Sequence, residues 1–165
     1  MLKDKVFIAL GGNIGAVPQT FDQAIGRLRS DIKILKVSSY YRAKPAGFTQ
    51  QNDFYNAAIL VHYPNQPIAL LDILQKTEKK FGKKFIHLNG PRSLDLDIVF
   101  WGNKTFSSSK LTIPHPRAFV RDFVLVPCAE IAPQYTPVGK TKTLAELVAN
   151  IDKKNGYLIN RIKRN

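Results

Sequence analysis

A chain of 165 residues with 44 % hydrophobic and 10 % aromatic content can bury an ordinary core, so a single domain over 1–165 is expected and disordered or low-complexity classes are excluded. With 25 Lys+Arg against 12 Asp+Glu the formal charge is +13, a field that attracts nucleic acid, acidic membrane or a nucleotide polyphosphate without choosing among them. No apolar run approaches the roughly 18 residues of a membrane helix, Met1-Leu2-Lys3-Asp4-Lys5 carries no signal-peptide core, and Cys128 is the only cysteine, which predicts a cytoplasmic protein with no membrane partner.

Along the chain, residues 5–10 (K-V-F-I-A-L) form a short apolar strand, broken by Gly11-Gly12-Asn13-Ile14-Gly15. Residues 18–29 place Phe21, Ala24, Ile25 and Leu28 at helical spacing and predict an amphipathic helix. Residues 32–41 and 55–63 read as two strands able to pair as an antiparallel ribbon, and the polar segment 44–53 between them, with Pro45 and Gly47, is longer than a tight hairpin needs and reads as a binding loop.

Asn65 is the expected cap of a helix starting near Pro67, with Ile68, Leu71, Leu74 and Phe81 as its apolar stripe and Gly82 at its C-terminal end. A second loop, 83–91, leads into a strand over 93–101, and Ser107-Ser108-Ser109 reads as a plain surface connection. Helical stretches follow around 122–131 and 143–150. The order strand, helix, strand, strand, helix, strand predicts an α+β fold with a ferredoxin-like antiparallel sheet flanked by helices.

The most informative segment is Gly90-Pro91-Arg92-Ser93-Leu94-Asp95-Leu96-Asp97-Ile98, because aspartate is depleted in strands and two occur here among β-formers. Strand alternation puts Asp95 and Asp97 on one face and Leu94, Leu96, Ile98 and Phe100 on the other. Two neighbouring carboxylates repel each other unless a cation intervenes, and Mg²⁺ favours carboxylate oxygens while keeping positions open for phosphate. A solvated antiparallel face would show the same spacing. Arg92 supplies a planar fork suited to phosphate oxygens, and Leu111-Thr112-Ile113-Pro114-His115-Pro116-Arg117 with Arg121-Asp122-Phe123 gathers cations and hydrogen-bonding groups beside an aromatic ring.

Phe54 and Phe123 can sandwich a planar heterocycle whose edge meets Asn56, although each phenylalanine taken singly suits a core better. Gly139-Lys140-Thr141 echoes a phosphate loop but lacks its first glycine and leading strand, and Gly11-Gly12-Asn13-Ile14-Gly15 lacks dinucleotide-fold spacing; both read as structural turns.

Taken together, these segments resemble the 6-hydroxymethyl-7,8-dihydropterin pyrophosphokinases from the first strand through Ala129-Glu130-Ile131-Ala132-Pro133. The likeness is carried by residues 90–98 and 113–117, supported by Tyr41-Arg42, Phe54-Tyr55-Asn56-Ala57-Ala58 and Glu78. The resemblance implies a single catalytic domain, a three-layer α/β/α sandwich that acts as a monomer without nucleic acid, and transfer of diphosphate from ATP to 6-hydroxymethyl-7,8-dihydropterin with release of AMP.

It further implies that Asp95 and Asp97 bind two Mg²⁺ ions, with Arg92 and Lys83 neutralising the triphosphate. ATP is expected at Gln75, Glu78, Arg92, Ile98, Lys110, Thr112, His115 and Arg121, and the pterin at Ala46, Gly47, Phe54, Asn56, Asp95 and Phe123. The loops 44–53 and 83–91 match segments that fold over substrates in the family.

This chain departs from the family with Gly11-Gly12-Asn13 for the commoner Gly-Ser-Asn, and with Lys83, Phe85, Leu88 and Asn89 where arginines or an aromatic are usual, which implies altered ATP affinity or lid kinetics. Three alternatives are a nucleic-acid-binding module, motivated by the charge and the basic tail 161–164, a kinase yielding ADP, and a nucleotidyltransferase yielding pyrophosphate.

Overall fold

The computed structural model describes residues 3–82, 90–151 and 156–164. Strand β1 (Lys5–Gly12) is buried on both faces: Val6, Ile8 and Leu10 alternate with Phe7 and Ala9. A strand with two apolar faces needs cover on each side, and this chain supplies helices for both. Helices α1 (Val17–Leu28) and α2 (Pro67–Lys80) cover one face, where Phe21, Ala24, Ile25, Leu28, Leu70 and Leu74 meet Val6, Ile8, Ile59 and Val61. Helices α3 (Asp122–Ile131) and α4 (Leu144–Ala149) cover the other, where Val124, Leu125, Cys128 and Leu144 meet Phe7, Ala58 and Leu60.

The main sheet also contains β2 (Lys33–Val37), β3 (Tyr40–Ala43), β4 (Phe54–His62), β5 (Asp95–Trp101) and β8 (Leu158–Ile162). Its order is β5-β1-β4-β3-β8, with β2 also on β4, and every pairing is antiparallel. Without β8 this is the ferredoxin-like arrangement expected from element order, and the three-layer sandwich implied by the resemblance is the observed architecture. A two-stranded ribbon of β6 (Phe106–Ser107) and β7 (Thr112–Ile113) lies off the sheet, so part of the expected plain connection is strand.

Several expectations need correcting in detail. The run 32–41 is two strands, because the Ser38 hydroxyl accepts the Ala58 amide at 2.9 Å and donates to the Ser39 carbonyl at 2.7 Å, interrupting the ladder. Gln66, not Asn65, is the N-cap of α2, without a side-chain cap bond; a residue before proline is pushed into extended backbone, as Gln66 is. The buried seam of α2 runs through Leu70, Leu74, Thr77 and Glu78; of the expected stripe Leu74 is buried and Leu71 and Phe81 pack against the core partly buried, while Ile68 does not join it. Phe100 packs on the α3 face with Val99, because a bulge shifts the β1–β5 register between Phe7 and Ile8, pairing Ile8 with Ile98 but Phe7 with Phe100.

The turn after β1 is shaped less by backbone freedom than by space. A Cβ on Gly12 would lie 2.5 Å from the Ser93 carbonyl oxygen. Gly12 thus lets the segment before β5 run against the end of β1, while Gly15 supplies the positive φ of +75°. Gly82, φ +76°, follows the C-cap of α2 as expected.

Candidate active site

Strand alternation carries Leu94, Leu96 and Ile98 into the α1/α2 core and turns Asp95 and Asp97 toward the α3 face. Opposite them on β1 stand Gly11, paired with Asp95, and Ala9, paired with Asp97; Gly11 pairs in turn with Asn56 on β4. The smallest side chains of β1 therefore sit between the two carboxylates and the asparagine. They leave a cavity of about 440 Å³ where α3 begins, a volume suited to a small heterocyclic ligand.

Ala46, Phe54, Asn56, Arg92, Asp95, Asp97, His115, Arg121 and Phe123, all expected at the site, line this cavity. Asn56 is 5 % exposed, and its amide nitrogen has no hydrogen-bond partner among the described residues. A buried donor left unmatched costs stability, so its retention at the wall of a cavity points to a ligand acceptor. Arg92 bridges two parts of the site: its guanidinium lies 3.4 Å from an Asp95 oxygen and 5.1 Å from the centre of the Phe54 ring. The Arg121 guanidinium is 5.6 Å from the Phe123 ring.

The His115 amide donates to the Val99 carbonyl at 2.9 Å, fixing this loop to β5. His115 Nδ1 accepts the Arg117 amide at 3.1 Å. Burial, reinforced by Arg121 and Arg117, lowers the His115 pKa, so the neutral ring prevails at neutral pH and carries its proton on Nε2, where it can donate to a phosphate or hydroxyl oxygen.

Other expected residues stand outside the cavity. Gly47, φ +85°, follows Ala46 in the chain. Ile98 is buried in the α1/α2 core, so its side chain is packing and its backbone faces β1. Glu78 is 6 % exposed and accepts the Leu96 amide at 2.7 Å, fastening α2 to the strand between the two aspartates. Gln75 is exposed on α2, Lys110 is exposed between β6 and β7, and Thr112 is exposed at the start of β7. Lys83, Phe85, Leu88 and Asn89 lie outside the described residues.

Lys44, Pro116 and Arg117 also line the cavity. Arg117 closes the quoted Ile113-Pro114-His115-Pro116-Arg117 segment, so a signal for it existed; Lys44 gave none beyond its place in a suspected loop. Asn13, in sequence only part of a turn, is a buried junction. Its Nδ2 donates to Gln51 Oε1 and to the Asn52 carbonyl, each at 3.0 Å, while its Oδ1 accepts the Arg92 amide at 3.0 Å. The loop before β4 and the arginine before β5 are thus joined through one amide side chain.

Two carboxylates on one strand, with room before them and Arg92, Arg117 and Arg121 around them, fit Mg²⁺, which commonly takes one or two protein carboxylates and fills the remaining positions with phosphate and water. No group of three or more His, Cys, Asp or Glu side chains suited to holding a metal occurs among the described residues.

A cavity lined by carboxylates, guanidiniums and two phenylalanines, on a ferredoxin-like sheet, points to the class of phosphate-transferring enzymes. Comparison with known proteins makes this particular: the family model of 7,8-dihydro-6-hydroxymethylpterin-pyrophosphokinase matches residues 7–133, and the chain belongs to that family.

It is 39 % identical over 147 residues to 2-amino-4-hydroxy-6-hydroxymethyldihydropteridine pyrophosphokinase of Synechocystis sp., covering 88 % of this chain and 75 % of the relative. It is 37 % identical over 142 residues to the protein of that name from Bacillus subtilis, covering 85 % and 83 %. Among solved structures, an HPPK-DHPS in complex with substrates matches with a TM-score of 0.72 at 13 % identity over 90 % of this chain. This chain covers 43 % of that longer one, and the likeness supports the fold alone.

Proposed function

We infer that this chain transfers the terminal diphosphate of ATP to 6-hydroxymethyl-7,8-dihydropterin, a step of folate biosynthesis, and that Arg92, Asp95 and Asp97 with the neighbouring Asn56 form its reaction centre. The observation that carries the reading is the row Asp95–Gly11–Asn56 across three strands. It sets an anionic, metal-binding end beside a buried amide whose nitrogen has no partner among the described residues.

The pterin ring lies between Phe54 and Phe123, with its polar edge on Asn56 and on the backbone at Ala46 and Gly47, and its hydroxymethyl group directed toward Asp95. That oxygen attacks the β-phosphorus, the bond from the β-phosphorus to the oxygen bridging it to the α-phosphorus breaks, and AMP leaves with that oxygen; the hydroxyl proton passes to solvent. Bound Mg²⁺, two ions on this reading, would neutralise phosphate oxygens and ease loss of that proton.

Asp95 and Asp97 hold the metal, while Arg92, Arg121 and Lys83 spread the triphosphate charge. Neutral His115 donates through Nε2, and Gln75, Ile98, Lys110 and Thr112 meet the nucleotide. Glu78, also expected at the nucleotide, acts on this reading at least through β5, whose Leu96 amide it accepts. Most of the rate comes from fixing the reactants and from fixed charge rather than from covalent chemistry. One catalytic domain over 1–165, working as a monomer in the cytoplasm without nucleic acid, completes the reading; no helix among the described residues is long and apolar enough to cross a membrane.

Replacing Asp97 by alanine tests it. With ATP, Mg²⁺ and the pterin, the variant should keep the circular dichroism of the parent and lose turnover by about a thousandfold or more. A variant that turns over normally would remove Asp97 from the reaction.

A further inference from the structure

The match to the family model stops at residue 133, yet the chain continues into the main sheet: β8 pairs along β3, Ala43 opposite Leu158 and Tyr40 opposite Ile162. The residue just before β8 touches both walls of the cavity. The ring of Tyr157 meets the Phe123 ring edge to face, centroids 5.6 Å apart at 83°. The Tyr157 carbonyl accepts the Lys44 amide at 2.8 Å, and Lys44, like Ala46 and Phe123, lines the cavity.

Asp122 fixes this junction from below. It is 7 % exposed; one oxygen accepts the amides of Tyr157 and Leu158 at 2.8 and 3.0 Å, and the other accepts the Phe123 amide at 2.7 Å. A single buried carboxylate thus fastens both the start of α3 and the start of β8. The Phe123 ring also meets the Arg121 guanidinium and packs against the apolar cluster under α3.

We propose that Tyr157 is a positioning residue for the pterin: by holding the Phe123 ring through its own ring and the Lys44 segment through its carbonyl, it sets the width of the slot in which the pterin stacks. The inference rests on the assignment of that slot under the proposed function. It makes the residue that opens the strand beyond the family match a determinant of pterin binding rather than of ATP binding, because its ring and carbonyl contacts go to the Phe123 and Lys44 walls. Edge-to-face pairing is directional, so an apolar side chain of similar bulk does not replace it.

The test compares the full chain with Tyr157→Leu and Tyr157→Phe, measuring KM for 6-hydroxymethyl-7,8-dihydropterin and for ATP by AMP formation. Tyr157→Leu should raise the pterin KM by roughly three- to tenfold and leave the ATP KM in place, and Tyr157→Phe should restore the parent value. If Tyr157→Leu does not fold, Tyr157→Met gives the same comparison. Both KM values rising together, neither rising, or Phe behaving as Leu overturns the proposal while leaving the reaction intact. A parent chain that forms no AMP with the pterin overturns the reaction itself, and this inference with it.

Discussion

On the proposed function, Asn56 serves the site at the expense of the fold. Its buried amide nitrogen has no partner among the described residues, so Asn56→Ala removes a group that contributes little to the folded state and much to a bound ligand. The expected result is a pterin KM raised by roughly ten- to a hundredfold, with a thermal midpoint within a few degrees of the parent, checked by steady-state kinetics and a melting curve.

At this scale the sequence was legible where chemistry opposed propensity: two aspartates among β-formers announce themselves, and alternation correctly put Asp95 and Asp97 on one face. It was not legible where geometry decides. Gly12 reads as a turn residue, but it is small because the Ser93 carbonyl passes beside it. Lys44 reaches the cavity through the position of a loop, which no local pattern encodes.

Between elements, Glu130 at the end of α3 is the main polar tie to the sheet edge. It accepts hydrogen bonds from the Ser39 amide at 3.0 Å, the Ser39 hydroxyl at 2.8 Å and the Tyr41 hydroxyl at 2.8 Å, and it pairs with Arg161 of β8 at 2.8 Å. Burial works to raise its pKa, but the bonds from Tyr41 and Ser39 with the Arg161 charge outweigh it and hold the carboxyl below its ordinary 4.5. A carboxylate so depressed stabilises the fold above its unfolded-state pKa and loses that contribution as pH falls through the folded-state value. Glu130→Gln should therefore cost about 1 kcal/mol at neutral pH, since solvent screens this exposed residue, with the gap to the parent closing below about pH 4.5, as read by denaturant titration across pH.

Element order was readable because apolar periodicity switches cleanly between strand and helix, and the ferredoxin-like core follows from it. The breaks were not: Ser38 splits a strand through its hydroxyl, and the bulge at Val99 reverses the phase of Phe100. Each depends on a neighbouring strand that the local sequence does not contain. The pairing of 158–162 with β3 likewise joins segments more than a hundred residues apart.

Over the whole molecule, a charge of +13 surrounds a cavity that itself carries Arg92, Arg117 and Arg121 against Asp95 and Asp97. A field of this sign gathers ATP and leaves a neutral pterin unaffected. Raising ionic strength from low to physiological should lower kcat/KM for ATP several-fold while changing the pterin KM little, and equal sensitivity of the two substrates would remove steering from the account. Charge alone had left nucleic acid and membrane open as partners; the paired aspartates narrowed the choice, because they need a cation before any phosphate can approach.

The central claim is tested most directly by identifying the phosphorus-containing products by ³¹P NMR after incubation with ATP, Mg²⁺ and 6-hydroxymethyl-7,8-dihydropterin. The account predicts AMP and a pterin diphosphate in equal amounts, with neither formed when the pterin is omitted. ADP with a pterin monophosphate, or free pyrophosphate with a nucleotidyl-pterin, would contradict it.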